Sequence, residues 1–239
     1  MERYVRTEML IGTDALNKLK DARVAVFGAG GVGGYVIEAL ARSGVGTLEI
    51  IDNDTVAPSN LNRQIIATED TLGILKTEAF EKRIHSINPE INVILHSEFY
   101  LPDKSGSYEF EKMDYIVDAI DTVTAKIDLI LQAKAHNVPI ISSMGCGNRL
   151  DPSKLKICDL FETKGDPLAR IMRHELRKRG VSSLCVVCSD EKPITPKEEI
   201  LARGKQEGRR STPGSSAFVP SAAGLYIASK VCRDLCGLE

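Results

Sequence analysis

Residues 23–34 read RVAVFGAGGVGG, and no other stretch restricts the fold as tightly. The apolar run at 23–28 reads as a buried strand, and VGGYVIEALARSG at 32–44 reads as a helix ended by glycine. Between them the chain is mostly glycine. A glycine-rich turn from strand into helix lets backbone N–H groups come close to an anion, and the helix N-terminus adds partial positive charge. The feature therefore predicts a phosphate-binding α/β unit with Gly28, Gly30, Gly31 and Gly33 against a nucleotide.

The neighbouring pattern extends that unit. Strands are expected at 47–52, 92–97, 114–121 and 138–145, with helices at 76–87 and 124–137 between them. Alternation of this kind marks a Rossmann-like, mostly parallel sheet with helices on both faces. The last third extends it with strand-like KLKICDLF and SLCVVC, a basic helix at 167–179 and a closing helix at 221–235. The organisation expected is one domain over 1–239. It comprises an N-terminal arm (1–22, in which Asp14 is expected to cap a short helix), a nucleotide-binding half (23–150) and a half for substrate binding and dimerisation (151–239). The segment at about 197–215, with eight charged residues between 197 and 210, is expected to be a mobile loop.

Composition removes several classes. A net charge of −2 argues against a whole-surface nucleic-acid binder and leaves room for a local basic patch. The N-terminus has no apolar signal core, and the longest apolar stretch, 217–229, is too short for a membrane span and contains Pro220. A cytoplasmic protein without a membrane partner is expected. Six cysteines in a chain of this size are weighed as core residues, metal ligands or nucleophiles rather than as a disulfide framework.

Asp52 ends the second strand, nineteen residues past Gly33, where a carboxylate can accept hydrogen bonds from ribose hydroxyls. To this point a NAD-dependent dehydrogenase reads equally well. The SNLNRQ run at 59–64 changes that, because hydride transfer has no use for it. With GAGGVGG, Lys76 and the VDAID ending at Asp121, it resembles the superfamily of ThiF, MoeB and the ubiquitin-activating enzymes, over roughly residues 3–145.

That resemblance implies adenylation of a carboxylate by ATP with Mg²⁺. Charge grows on the α-phosphate oxygens as pyrophosphate leaves, so fixed cations and a metal suit the reaction. By resemblance, Arg63 and Lys76 hold the phosphates, Asn60 and Gln64 line the pocket, Asp52 takes the ribose, and Asp121 holds Mg²⁺. Asp54 is expected to organise the turn. Taken singly, Lys76 reads equally as a solvated lysine and Asp121 as a helix cap. The arm ERYVRT resembles the RYxRQ arm of the superfamily, with Thr7 in place of the glutamine. It implies a homodimer in which Arg6 reaches the phosphates of the neighbouring subunit.

Members that activate sulfur carriers usually hold a structural zinc with two CxxC pairs. Here one pair, Cys185–Cys188, lies in a strand-like run whose residues three apart face opposite sides, so buried core cysteines and no structural zinc are expected. The stretch 141–180 and SAFVPSAAGLYIASKV at 216–231 resemble the tRNA threonylcarbamoyladenosine dehydratase branch. That branch implies adenylation of a carboxylate on tRNA and a cyclising dehydration. Some members carry a cysteine before their glycine-serine-rich segment. The run RRSTPGSS at 209–216 has none, which puts a sulfur-relay partner in doubt.

A tRNA ligand calls for positive charge. Arg170, Arg173 and Arg177 share one helical face, with Leu168, Ile171, Met172 and Leu176 on another, and Lys205, Arg209 and Arg210 could join them. An ordinary amphipathic surface helix has the same pattern. Two other functions stay open: activation of a small ubiquitin-like sulfur carrier, and a nucleotide-binding module without turnover.

Overall fold

A computed structural model describes residues 2–197, 200 and 213–238. The arm forms a short 3₁₀ turn followed by α1 (Val5–Ile11) and α2 (Thr13–Asp21). Gly12, at φ 82°, separates the two helices and stands at the N-cap of α2. Asp14 therefore lies inside the first turn, where it favours the helix dipole rather than capping it as expected.

The core sheet has seven strands: β1 (Arg23–Phe27), β2 (Thr47–Ile51), β3 (Asn92–His96), β4 (Tyr115–Asp118), β5 (Ile140–Ser143), β6 (Leu155–Asp159) and β7 (Cys185–Ser189). They lie in the order β3-β2-β1-β4-β5-β7-β6. All neighbours are parallel except β6, which runs antiparallel to β7 at the edge. The last third of the chain thus adds its strands to the same sheet. Order reverses between β1 and β4, and the crevice beyond the carboxyl ends of those strands is where ligands bind in open α/β sheets.

Between the strands run α3 (Gly33–Ser43), α4 (Lys76–Ile87), α5 (Val123–Ala135) and α6 (Pro167–Arg177), and α7 (Val219–Cys236) closes the chain. One apolar layer joins α3, α4 and α7 to the sheet through Val36, Leu40, Phe80, Ile84, Ala223 and Ile227. The opposite layer joins α5 and α6 through Ile130, Leu129, Met172 and Leu176. Helix α7 approaches α3 so closely that a Cβ on Gly224 would lie 2.5 Å from the Val32 carbonyl oxygen.

Cys185 packs into the first layer and Cys188 into the second, as strand periodicity predicts. All six cysteines are free thiols, and no cluster of metal-ligating side chains occurs among the described residues. Among those residues, too, no helix is long and apolar enough to cross a membrane.

Candidate active site

The glycine loop divides its glycines between packing and vacancy. Gly28 turns the chain at φ 92°, and a Cβ there would meet the Ala119 carbonyl oxygen at 2.6 Å. A Cβ on Gly33 would sit 1.8 Å from the Gly28 carbonyl oxygen, so these two glycines allow strand, loop and helix to touch. Gly31 faces Pro220 of α7 and the stem of Arg63, at 3.3 and 3.6 Å from its built Cβ. Gly30 differs, because around it only the Gln64 amide comes within reach, at 3.9 Å. The N-cap of α3, Val32, makes no side-chain capping bond. The N–H groups of Gly34, Tyr35 and Val36 donate to the Gly30 and Val32 carbonyls, so an anion would meet the loop N–H groups before them, at the positive end of the helix.

This loop forms one wall of a cavity of about 530 Å³ that also takes in Asp52, Asn60, Arg63, Gln64, Lys76 and Asp121. Ten sequence-expected site residues therefore converge, since Gly28, Gly30 and Gly31 line it and Gly33 braces it from behind.

At the floor, Lys76 opens α4 and is 3% exposed. A buried lysine at a helix N-terminus is disfavoured by both desolvation and the dipole. Two carboxylates offset this: Asp54 Oδ2 lies 2.7 Å from Nζ and Asp52 Oδ1 lies 3.6 Å away. The Lys76 backbone N–H also donates to the Asp54 carbonyl, 3.0 Å, which fixes the start of α4 against the loop after β2. Asp54 thus does more than organise a turn, for it is the closest partner of the lysine. Asp52 takes the turn-forming part. Its Oδ1 accepts from the Asp54 N–H at 2.8 Å, and its Oδ2 accepts from the Ala29 N–H in the glycine loop at 2.7 Å.

The 3₁₀ turn at Pro58–Asn60 presents the next residues. Asn60 is buried, its Oδ1 accepting from the Ala57 N–H at 3.1 Å, so it shapes the wall. Arg63 Nη1 donates to the Ser59 carbonyl and to Asn62 Oδ1 at 2.7 and 2.9 Å, which steers its guanidinium. Gln64 is 7% exposed, and its Oε1 has no hydrogen-bond partner among the described residues. A buried polar atom left unmatched costs about 1–3 kcal/mol, and a ligand in the cavity that donates to it removes that cost.

The opposite wall rests on a pair that the sequence reading missed. Lys126 and Asp118 are both fully buried, with Nζ 2.9 Å from Oδ2. Lys126 also donates to the Ile120 carbonyl at 3.1 Å, and Ser142 Oγ donates to Asp118 at 2.5 Å. The pair fixes the course of residues 119–121 and brings Asp121 to the rim. Thr122, not Asp121, is the N-cap of α5.

The roof joins distant segments. Cys146, Gly147, Pro213 and Ser215 line it. Asn148, at φ 58°, donates its N–H to the Gly214 carbonyl and accepts from the Gly214 N–H through Oδ1, at 2.7 and 2.6 Å. Beneath it Arg149 pairs with Asp166 at 3.1 Å, both buried. Burial pushes the Cys146 thiol up, away from the thiolate form. At the back, burial and a 2.7 Å hydrogen bond to Asp128 push the Tyr100 hydroxyl up, so it remains a neutral donor.

Other expected residues lie elsewhere. Arg6 is exposed on α1, a helix with no buried side chain, outside the cavity of its own chain. Arg173 donates to the Thr163 carbonyl at 2.9 Å and to its hydroxyl, and Arg177 stacks 5.3 Å over Phe161, so both are partly committed to local packing. Arg170 is exposed. Ile171 is exposed as well, unlike buried Met172 and Leu176, with which it was grouped. Lys205, Arg209, Arg210 and most of the expected mobile loop lie outside the described residues.

The switch-point crevice, the bare Gly30 and the buried Lys76 beside two carboxylates define a nucleotide-handling α/β protein of the adenylating class. The chain belongs to the ThiF family, whose model matches residues 4–237. Within it, the chain is 40% identical over 241 residues to the tRNA threonylcarbamoyladenosine dehydratase of Bacillus subtilis, covering 98% of this chain and 95% of that one. It is also similar to solved structures of the E. coli tRNA N6-threonylcarbamoyladenosine dehydratase. The AMP complex matches with a TM-score of 0.89 and 33% identity, and the ATP complex with 0.89 and 32%. Each covers 99% of this chain and 94% of the other.

Proposed function

We propose that the chain uses ATP to adenylate the carboxylate of threonylcarbamoyladenosine in tRNA and then closes a ring with net loss of water. The observation that carries this is likeness along the whole chain to dehydratases of that nucleoside, one of them solved with ATP, over a cavity whose open places suit a nucleotide. A carboxylate oxygen of the substrate attacks the α-phosphorus, and pyrophosphate leaves. Attack from within the same nucleoside on the acyl carbon then expels AMP, which carries off the carboxylate oxygen. The product has lost one water, and no protein nucleophile is required. The raised Cys146 thiol is consistent with that.

In this reading phosphates lie along the glycine loop at Gly30, around which a Cβ would meet only the Gln64 amide, and reach Gly31 beside Arg63. Lys76 trades part of its contact with Asp54 for phosphate oxygens, and Arg63 meets them from the other side. Gln64 Oε1 accepts from a nucleotide hydroxyl, and Asp52 holds loop and ribose together. Asp121, a hard oxygen donor at the rim, fits Mg²⁺, which when bound neutralises charge growing on the phosphates. Arg6 completes the site of a second copy in a homodimer. Arg170, exposed on α6, serves as a contact for the tRNA backbone, with Arg173 and Arg177 lending charge. The description as one domain with an arm and two cooperating halves belongs to the same proposal.

The test is ATP–pyrophosphate exchange and AMP formation with tRNA carrying threonylcarbamoyladenosine, unmodified tRNA, or no tRNA. Modified tRNA should stimulate AMP release, and its nucleoside should lose one water. Stimulation by a glycine-tailed carrier protein in place of modified tRNA would overturn the substrate and leave the adenylation chemistry standing.

A further inference from the structure

A second cavity, about 350 Å³, opens at the far end of the helices that begin at the nucleotide site. Arg3, Arg42, Arg83 and Ser86 line it. Arg42 follows Gly33 by nine residues of α3 and Arg83 follows Lys76 by seven of α4, so each cavity lies roughly 10–14 Å from the other along a helix axis.

Its arginines are held in place from below by buried groups. Glu38, 7% exposed, accepts from Arg42 Nε at 2.7 Å, with Arg42 Nη2 in ion-pair contact at 2.7 Å, and accepts from Arg83 Nε and Nη2 at 3.0 and 2.9 Å. Arg3 Nη1 donates at 2.6 Å to Asn88 Oδ1. Asn88 is itself buried and donates to the Tyr4 hydroxyl at 2.9 Å. A guanidinium has five N–H donors, and these hydrogen bonds occupy one each on Arg3 and Arg42 and two on Arg83. Three guanidiniums around one buried carboxylate leave the cavity wall net positive, with Glu90 near Tyr4 offsetting part of that charge. That is the chemistry of an oxyanion site, for which arginine forks suit phosphate.

We propose that this cavity binds a phosphodiester of the RNA partner, an inference that rests on the tRNA reading above. On α6 Arg170 is exposed, whereas Arg173 is tied to Thr163 and Arg177 to Phe161, and after the helix Lys178 and Arg179 pair with Glu175. Arg3, Arg42 and Arg83 differ in converging on one cavity, where buried Glu38 and Asn88 orient them.

The variant to use is Arg3→Gln with Arg42→Gln, since Arg83 still bonds both oxygens of Glu38 and Asn88 keeps its Tyr4 contact. Binding of threonylcarbamoyladenosine-bearing tRNA is measured by fluorescence anisotropy across a salt series, with ATP affinity and thermal unfolding as controls. Each lost phosphate contact should lower the salt slope by about 0.7–0.9. The double variant should then lose about 1.5 in slope and about 30-fold in affinity at 0.1 M salt, with ATP affinity unchanged. Arg3→Lys with Arg42→Lys should keep most of the slope. Inorganic phosphate titrated into the unaltered chain separates the sources. Saturable phosphate binding lost in the variant, with unchanged tRNA affinity and slope, would assign the cavity to a free anion and overturn the RNA contact. Unchanged tRNA binding together with an altered oligomeric state would overturn it in favour of a subunit contact. Failure of the unaltered chain to bind tRNA at all would instead defeat the proposed substrate.

Discussion

Replacing Gly30 by alanine separates binding from folding in the glycine loop. The built Cβ meets nothing nearer than Gln64 Nε2 at 3.9 Å, and Gly30 is not among the glycines at positive φ. Alanine at such a position stabilises a fold by about 0.4–1 kcal/mol, because the unfolded chain has less freedom to lose. At about 2–4 °C per kcal/mol for a chain of this size, Tm should hold or rise by roughly 1–4 °C. The same methyl projects where phosphate must approach the backbone. Losing one charge-assisted hydrogen bond costs about 1.5–3 kcal/mol, or about 10- to 150-fold in ATP affinity. Gly33→Ala is the contrasting case, with its Cβ 1.8 Å from the Gly28 carbonyl oxygen and no flexible side chain to yield. It should not fold stably. Calorimetric titration with ATP and thermal unfolding of both variants are sufficient. A folded Gly30→Ala protein with unaltered ATP affinity would refute the phosphate assignment, and an unfolded one would refute the open space seen around Gly30.

Lys76→Ala and Asp121→Ala should each lower ATP–pyrophosphate exchange by about 10²-fold or more while circular dichroism stays native; near-normal exchange in either would remove that residue from the site. Mixing Arg6→Ala with Lys76→Ala protein should recover part of the activity, since each mixed dimer owns one intact composite site. A mixture no better than its parts, with subunit exchange demonstrated, would count against action in trans. Burial alone would raise the Glu49 carboxyl, but hydrogen bonds from His96 and Arg23 hold it below its ordinary 4.5. With the folded value depressed, its stabilisation is complete above about pH 4.5 and is lost as pH falls through the folded-state value. Glu49→Gln should therefore cost about 2 kcal/mol at pH 7 and flatten the acid limb of urea-unfolding stability below pH 4.5.

Local pattern made much of this molecule legible. The strands at 23–28, 47–52 and 92–97 end within a residue of β1, β2 and β3, and α4 spans the expected 76–87, stopped by Asn88-Pro89. Alternation along β7 separates Cys185 from Cys188 because a strand repeats every two residues. What sequence concealed is chiefly what distance joins. Lys126 sits in an apolar helix and Asp118 in an apolar strand, and neither periodicity shows that they meet. Asp54 reads as a turn residue until the Thr55–Leu75 bridge brings Lys76 beside it. The second cavity draws on residues 3, 42, 83 and 86, which share no motif. Asp14 was misplaced because a glycine at positive φ can take the N-cap that a side-chain oxygen usually claims.

The contact between Gly224 and Val32 has a consequence for synthesis. The glycine loop emerges from the ribosome early, but the surface that braces it is α7, which lies far downstream in the sequence. Until residues 219–236 have been made, the face of α3 around Val32 and Val36 lacks the helix that packs on it. A truncated product is thus a chain with an unbraced loop rather than a weaker enzyme. Nucleotide binding should then report whether α7 is present and packed against the glycine loop.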